Sequence, residues 1–397
     1  MGVKNKIEYL LKHNRFVQTT YRYTMSAAFR VLGLFIKTDN DLVLINGLGF
    51  KFNDSPKAIF DKMNELGMLE KYHVVWALKE PEKYDISNAE KVKMDTLKYF
   101  VTALRAKYWI SCVNIERALH FKKKKTIYLN TWHGASLNYV GNAVAGRNDF
   151  RFEHINYFCL NGEYERDFII RDFNVRPEAL ISTGYPRNDE LYAATDEMKR
   201  SIREKLNIPN DKKVILYAPT WRDSGDGGAS FKLAPPITWN KWKEKLGQEY
   251  VVLLRTHHYT TKLMNVEFDE FVRNFIDYPS VNELMIAADI LISDYSCIQL
   301  DYSIMERPLI CFGYDYDDYK SVRGFYFDME KIMPSGVLRT EDAVIEHILT
   351  MNYSEECEKT KKFKEDHMEY GGNATIECIN KVFGTNYNES QNCKQIS

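Results

Sequence analysis

The chain has 397 residues, with 54 Lys+Arg against 55 Asp+Glu and a formal net charge of −1. That length exceeds what one ordinary core carries and predicts two domains, while the balanced charge excludes the strongly basic surface of a nucleic-acid binder. Seven cysteines, none in a Cys-x-x-Cys pair, argue against a disulfide framework or structural zinc site, and no run reaches the roughly 18 apolar residues of a spanning helix. Reduced thiols and a cytoplasmic body are expected.

Up to about Lys37 the chain carries Lys4, Lys6, Lys12, Arg15, Arg22, Arg30 and Lys37 against one acid, Glu8, interleaved with Tyr9, Phe16, Tyr21, Phe29, Leu34 and Phe35. Two readings fit this basic amphipathic arm: a segment lying in the interface of an anionic bilayer, or a helical pair packed on the first domain. Short apolar runs then alternate with helical periods. Strands are predicted at 42–45, 74–78, 108–111, 127–129 and 157–160. A helix is predicted from the Ser55-Pro56 cap to Leu66, ended by Gly67, and another over 94–106. After a charged helix over 196–206, a second set of strands follows at 214–217, 251–254, 290–292 and 309–312. This βαβ rhythm predicts an arm over 1–40, a first domain over 41–192, a second domain over 193–385 and a polar tail over 386–397. Each domain is expected to be a Rossmann-type parallel sheet, with a cleft between them.

In open α/β sheets ligands sit beyond the carboxyl ends of the strands. Four polar segments occupy that position. Thr131-Trp132-His133-Gly134 brings an imidazole and a glycine where a backbone can approach an oxyanion or attacking hydroxyl. Thr220 and Arg222, in Tyr217-Ala218-Pro219-Thr220-Trp221-Arg222-Asp223, suit a phosphate. Arg255-Thr256-His257-His258 offers a permanent cation and a titratable ring. Ser293-Asp294-Tyr295-Ser296 leads into a helix whose free N–H groups favour anions.

These segments resemble the CDP-glycerol glycerophosphotransferases of teichoic acid and related polymer synthesis. The resemblance rests on Asn130-Thr131-Trp132-His133-Gly134, the turn Thr183-Gly184-Tyr185-Pro186-Arg187-Asn188-Asp189, Tyr217 to Asp223, Arg255-Thr256-His257, Ser293-Asp294-Tyr295-Ser296 with Asp301-Tyr302, and Arg307-Pro308-Leu309-Ile310 through Arg323-Gly324. It implies a two-Rossmann, GT-B-like transferase. Such an enzyme moves glycerol phosphate or ribitol phosphate from a CDP-activated donor to a hydroxyl of a lipid-linked polymer or linkage unit, releasing CMP at the cytoplasmic face of the membrane. No cofactor or metal is implied.

By the same resemblance, His133 is the general base and His257 the donor to the leaving phosphate, or the reverse. Arg255 orients the diphosphate or braces its loop. Thr220, Arg222, Ser293, Ser296 and the Tyr295 backbone bind phosphate, and Gly134 and Ser136 lie on the acceptor side. Ala135-Ser136 and Cys297 depart from the family pattern, which usually carries Thr-Pro and a second serine there. A GT-B nucleotide-sugar glycosyltransferase and a catalytically idle membrane adaptor are the competing readings. The Tyr314 to Tyr319 cluster is expected to be a surface loop, Lys122 to Lys125 a solvated loop, and His73, His120 and His154 structural.

Overall fold

A computed structural model describes residues 15–220, 235–256, 264 and 266–388. In the first domain, β1 (Asp39–Asn46), β2 (His73–Leu78), β3 (Glu90–Lys93), β4 (Ala106–Ser111), β5 (Ile127–Asn130), β6 (Tyr157–Cys159) and β7 (Leu180–Ile181) form one sheet. Its order is β3-β2-β1-β4-β5-β6-β7, with every pairing parallel. The second domain contains β8 (Lys213–Tyr217), β9 (Tyr250–Leu254), β10 (Val272–Asn274), β11 (Ile290–Ser293), β12 (Leu309–Phe312) and β13 (Val337–Leu338), in the parallel order β10-β9-β8-β11-β12-β13. Helices cover both faces, so the central strands are continuous apolar runs: Val43, Leu44 and Ile45 are fully buried, as are Ile290, Leu291 and Ile292. Each order reverses direction once, between β1 and β4 in one sheet and between β8 and β11 in the other. Crevices at such switch points collect ligands.

Four strands without a strand-like run in the sequence, β3, β7, β10 and β13, complete these sheets. The helix Asp54–Glu65 starts one residue before the predicted Ser55 cap, with Asn53 as N-cap, and Gly67 closes it in the left-handed region at φ 68°. The helix Ala374–Phe383 falls within the stretch assigned by sequence to the second domain, yet it packs on the first. Phe383 meets Tyr72 and Tyr108 at ring-centroid distances of 4.6 and 4.7 Å, and Asp189 accepts from the Ala374 and Thr375 amides. The helix's buried Cys378, Ile379 and Val382 need a second apolar surface, and the first sheet provides it.

Of the basic arm, the helix Arg15–Phe35 is described. Phe29 docks it to the first domain, stacked 4.5 Å from Phe100 and 5.5 Å from Phe121, and Ser26 accepts from the His120 amide. The opposite face leaves Phe16, Tyr23, Leu34 and Phe35 exposed, with Leu34 82% accessible. Among the described residues no helix is long and apolar enough to cross a membrane.

Two expectations about loops are corrected. Tyr316–Val322 is a helix rather than a surface loop, because Tyr316 is buried beside Phe325 and Tyr295. The lysine run is partly buried and structural: Lys123 donates to the Ile36 carbonyl and Thr38, and the Lys122 amide donates to Glu116.

Candidate active site

His133 sits immediately beyond the carboxyl end of β5, on a loop held from several sides. Thr131 N donates to the Ser111 carbonyl at 2.8 Å, Asn130 Nδ2 to the Val113 carbonyl at 2.6 Å, and Trp132 N to Asn130 Oδ1 at 2.8 Å. Trp132 has φ 54°, an outlier for a bulky residue, and its ring is wedged 4.5 Å from Phe173. Strain of this kind persists only where the surroundings over-determine it, and it clusters at functional sites.

His133 Nδ1 lies 2.7 Å from the Cys112 carbonyl oxygen. A carbonyl only accepts, so Nδ1 carries the proton and Nε2 the lone pair of the neutral ring. Burial pushes the imidazole pKa below its ordinary value, although the Cys112 hydrogen bond and the Asp54 carboxylate oppose the shift. The ring is therefore held neutral near pH 7, with its Nε2 lone pair unprotonated.

Gly134, at φ 147°, brings this loop against the second domain. A Cβ there would lie 2.7 Å from Cys297 Sγ and 3.3 Å from Arg187 Nη2. Cys297, one of the two departures from the family pattern, thus fills space that any side chain at position 134 would contest. Ala135 and Ser136, the other departure, are buried behind the loop.

Sequence reasoning missed the ionic clasp beneath this contact. Arg187 Nη1 donates to the His133 carbonyl at 2.7 Å and lies 3.2 Å from Asp54 Oδ2, while Nη2 lies 2.5 Å from Asp301 Oδ2 in the second domain. Asn188 Nδ2 donates to the other Asp301 oxygen at 2.8 Å. Burial pushes the Asp301 carboxyl up, and Arg187 and Asn188 oppose it; with two donors this close, the contact is an ion pair. The only signal in the sequence was that Arg187, Asn188 and Asp301 fall within motifs already quoted for other reasons.

Across the seam, the segments after β8 and β11 meet at the second switch point. Asp294 Oδ1 accepts from the Thr220 and Tyr295 amides, both at 2.7 Å, so it ties the two loops together and does not cap the helix Ile298–Ser303, whose N-cap is Cys297. Ser293 is fully buried and donates to the Ala218 carbonyl at 2.6 Å. Tyr295 is buried, with its hydroxyl donating to Asp315, whereas Ser296 is half-buried and accepts from the Ile298 amide.

Arg255 Nη1 donates to the Phe275 and Tyr278 carbonyls at 3.2 and 2.7 Å, which braces the loop after β10. Burial lowers its pKa, opposed by Asp277, but the guanidinium remains a cation. Arg222, His257 and His258 lie outside the described residues. The structure therefore brings His133, Gly134, Cys297 and the Arg187 clasp together, with Thr220 and Ser293 to Ser296 at the neighbouring switch point.

Two facing parallel-sheet domains, each with polar loops at its switch point and a buried histidine on one side, define a GT-B-like transferase. The family described as CDP-Glycerol:Poly(glycerophosphate) glycerophosphotransferase matches residues 27–384, and the chain belongs to it. The teichoic acid poly(glycerol phosphate) polymerase of Bacillus spizizenii is 30% identical over 389 residues, covering 92% of this chain and 93% of its own. The teichoic acid glycerol-phosphate transferase of Staphylococcus aureus is 29% identical over 365 residues, covering 87% and 89%. The solved structure of the wall teichoic acid polymerase TagF superposes with a TM-score of 0.79 at 26% identity, covering 100% of both chains. A histidine variant of TagF soaked with CDPG matches with a TM-score of 0.77 at 26% identity over 97% of this chain and 98% of that one.

Proposed function

We propose that the chain transfers glycerol phosphate from CDP-glycerol to a hydroxyl of a lipid-linked acceptor, releasing CMP, in the synthesis of a teichoic acid or related surface polymer. The observation that carries this reading is His133, fixed by the Cys112 carbonyl with its Nε2 lone pair unprotonated, at the seam of two switch points. Nε2 takes the proton of the acceptor hydroxyl as that oxygen attacks the phosphorus bearing glycerol. A new P–O bond forms, the bond to the bridging oxygen breaks, and CMP leaves with the electron pair. Arg255, Thr220, Arg222, the Tyr295 backbone and Ser296 would surround the diphosphate. His257 would protonate or hydrogen-bond the leaving phosphate. Ser293, whose hydroxyl already donates to the Ala218 carbonyl, would act by holding the loop.

The similarity to proteins named for glycerol phosphate supports that donor over CDP-ribitol. The outer face of the helix Arg15–Phe35, with Phe16, Tyr23, Leu34 and Phe35 exposed, supports peripheral association with an anionic membrane. The test is CMP release by purified protein offered CDP-glycerol, CDP-ribitol or a uridine-diphosphate sugar together with a lipid-linked acceptor. Turnover with CDP-glycerol is expected. Turnover with the uridine donor alone would replace this reading with the glycosyltransferase one, and silence with all three would support the idle adaptor.

A further inference from the structure

A crevice of about 380 Å³ runs between the helix Arg15–Phe35 and the first domain. The helix contributes Arg22, Ser26, Ala27 and Arg30, a row at the three- and four-residue spacing of one helical edge. This edge, which the exposed Tyr23 also lines, runs between the inner face, docked through Phe29, and the outer face that exposes Phe16 and Leu34. The opposite wall includes Asn114, His120 and Arg151.

The charge in this crevice is cationic and largely uncommitted. Among the described residues neither Arg22 nor Arg151 makes a side-chain hydrogen bond or ion pair, and Arg30 donates through Nε to the His120 carbonyl at 2.6 Å. The acids nearby are engaged or recessed: Asp149 pairs with Arg147 at 3.2 Å, and Glu153 lies 3.9 Å from His154. His120, Glu153 and His154 approach within 4.8 Å of one another, and burial lowers the His120 pKa, opposed by Glu153 and reinforced by His154, Arg151 and Arg30. Two buried polar atoms of the lining residues, Asn114 Oδ1 and His120 Nδ1, have no hydrogen-bond partner. Buried polar atoms are normally hydrogen-bonded, so these two side chains offer unmet hydrogen-bonding capacity to a hydroxyl-bearing group.

The crevice is also connected to the proposed base. Asn114 is two residues from Cys112, whose carbonyl holds His133, and the loop supplying Asp149 and Arg151 packs Phe150 and Phe152 6.1 and 6.3 Å from Trp132.

We propose that this crevice binds a phosphate-bearing polyol headgroup, with Arg22, Arg30 and Arg151 on the phosphate and Asn114 and His120 on the hydroxyls. With the outer apolar face on a bilayer, its mouth lies at headgroup depth, and a lipid-linked acceptor held there is directed towards His133. The acceptor role rests on the transferase reading above, whereas headgroup binding does not.

The experiment is titration calorimetry of the full chain with short-chain phosphatidylglycerol, short-chain phosphatidylcholine and inorganic phosphate. Phosphatidylglycerol is expected to bind, weakening with ionic strength. Arg22→Gln with Arg151→Gln, and separately Ala27→Trp as a steric block on an exposed position, should each weaken binding at least tenfold with unchanged melting temperature. Equal binding of phosphate alone would show an anion site without headgroup recognition and overturn the proposal. Equal binding of phosphatidylcholine, or indifference to both variants, would also overturn it. Headgroup binding without CMP release would refute the transferase reading and leave the site standing.

Discussion

Replacing Gly134 with alanine tests the contact between the histidine loop and the second domain. The added methyl would stand 2.7 Å from Cys297 Sγ and 3.0 Å from its Cβ, closer than a real Cβ tolerates, on a backbone at φ 147° that L-residues rarely adopt. Strain at such a φ costs on the order of 1–3 kcal/mol, and overpacking a buried contact adds about 1–3 kcal/mol. Relief requires Cys297 to withdraw, which pulls on the Arg187–Asp301 pair beside it. Gly134→Ala is therefore expected to lose roughly 2–6 kcal/mol of stability by urea unfolding and most of its CMP release. In a double-mutant cycle, Cys297→Gly removes the steric part and leaves the dihedral part, so the double variant should recover about half of the lost stability. Additive effects of the two substitutions, or a Gly134→Ala protein as stable as the parent, would refute the packing argument.

The clasp gives a graded expectation. Arg187→Met strands Asp54 and Asp301 as unpaired buried acids and should cost about 3–5 kcal/mol in urea unfolding, whereas Asp301→Asn, which leaves Arg187 with Asp54 and the His133 carbonyl, should cost less. Equal losses would contradict the assignment of Arg187 as the hub. Glu165 is fully enclosed, and burial raises its pKa from 4.5 to about 8, opposed by the Asn161 amide and the Tyr185 hydroxyl. The folded state thus holds the proton more tightly than the unfolded chain, so this contribution is complete below pH 4.5 and is lost as pH rises to about 8. Glu165→Gln, neutral throughout, should gain stability relative to the parent across that window, by roughly 5 kcal/mol at most, in melts run from pH 5 to 9. A difference independent of pH would contradict it. Leu34→Glu with Phe35→Glu, both on the exposed side of the first helix, should lower sedimentation with anionic liposomes at least tenfold without shifting the melting temperature.

The central strands were legible because burial on both faces writes itself as an apolar run. Val43 to Ile45 and Ile290 to Ile292 are such runs, read as buried-strand candidates by their shortness and flanking turn signals. The strands without such a run, β3, β7, β10 and β13, are the outer edges of the two sheets. An edge strand is short and half-exposed, and Glu-Lys-Val-Lys in β3 carries polar residues that discourage further pairing. The place of His133 just beyond the carboxyl end of β5 was legible because a histidine and a glycine follow the apolar run 127–129. Arg187 with Asp301 was not, since an ion pair across 114 positions of sequence has no local signature. For the same reason His120 and His154, set aside for want of ligand spacing, come together with Glu153 only in three dimensions. Tyr316–Val322 was read as a surface loop because the tyrosine and aspartate cluster lacks the glycine and terminal glutamate of a calcium loop, while the buried Tyr316 ring anchors it as a helix.

The most direct test of His133 as the base is the pH dependence of CMP release from CDP-glycerol by the parent and by His133→Ala. Because burial lowers the imidazole pKa, the parent's kcat/KM should rise with pH to a plateau, with a midpoint below 6.5. His133→Ala should lose about 10²- to 10⁴-fold in rate and lose that acid limb while melting like the parent. An alanine variant that keeps both its rate and the limb would contradict the assignment of His133 as the base.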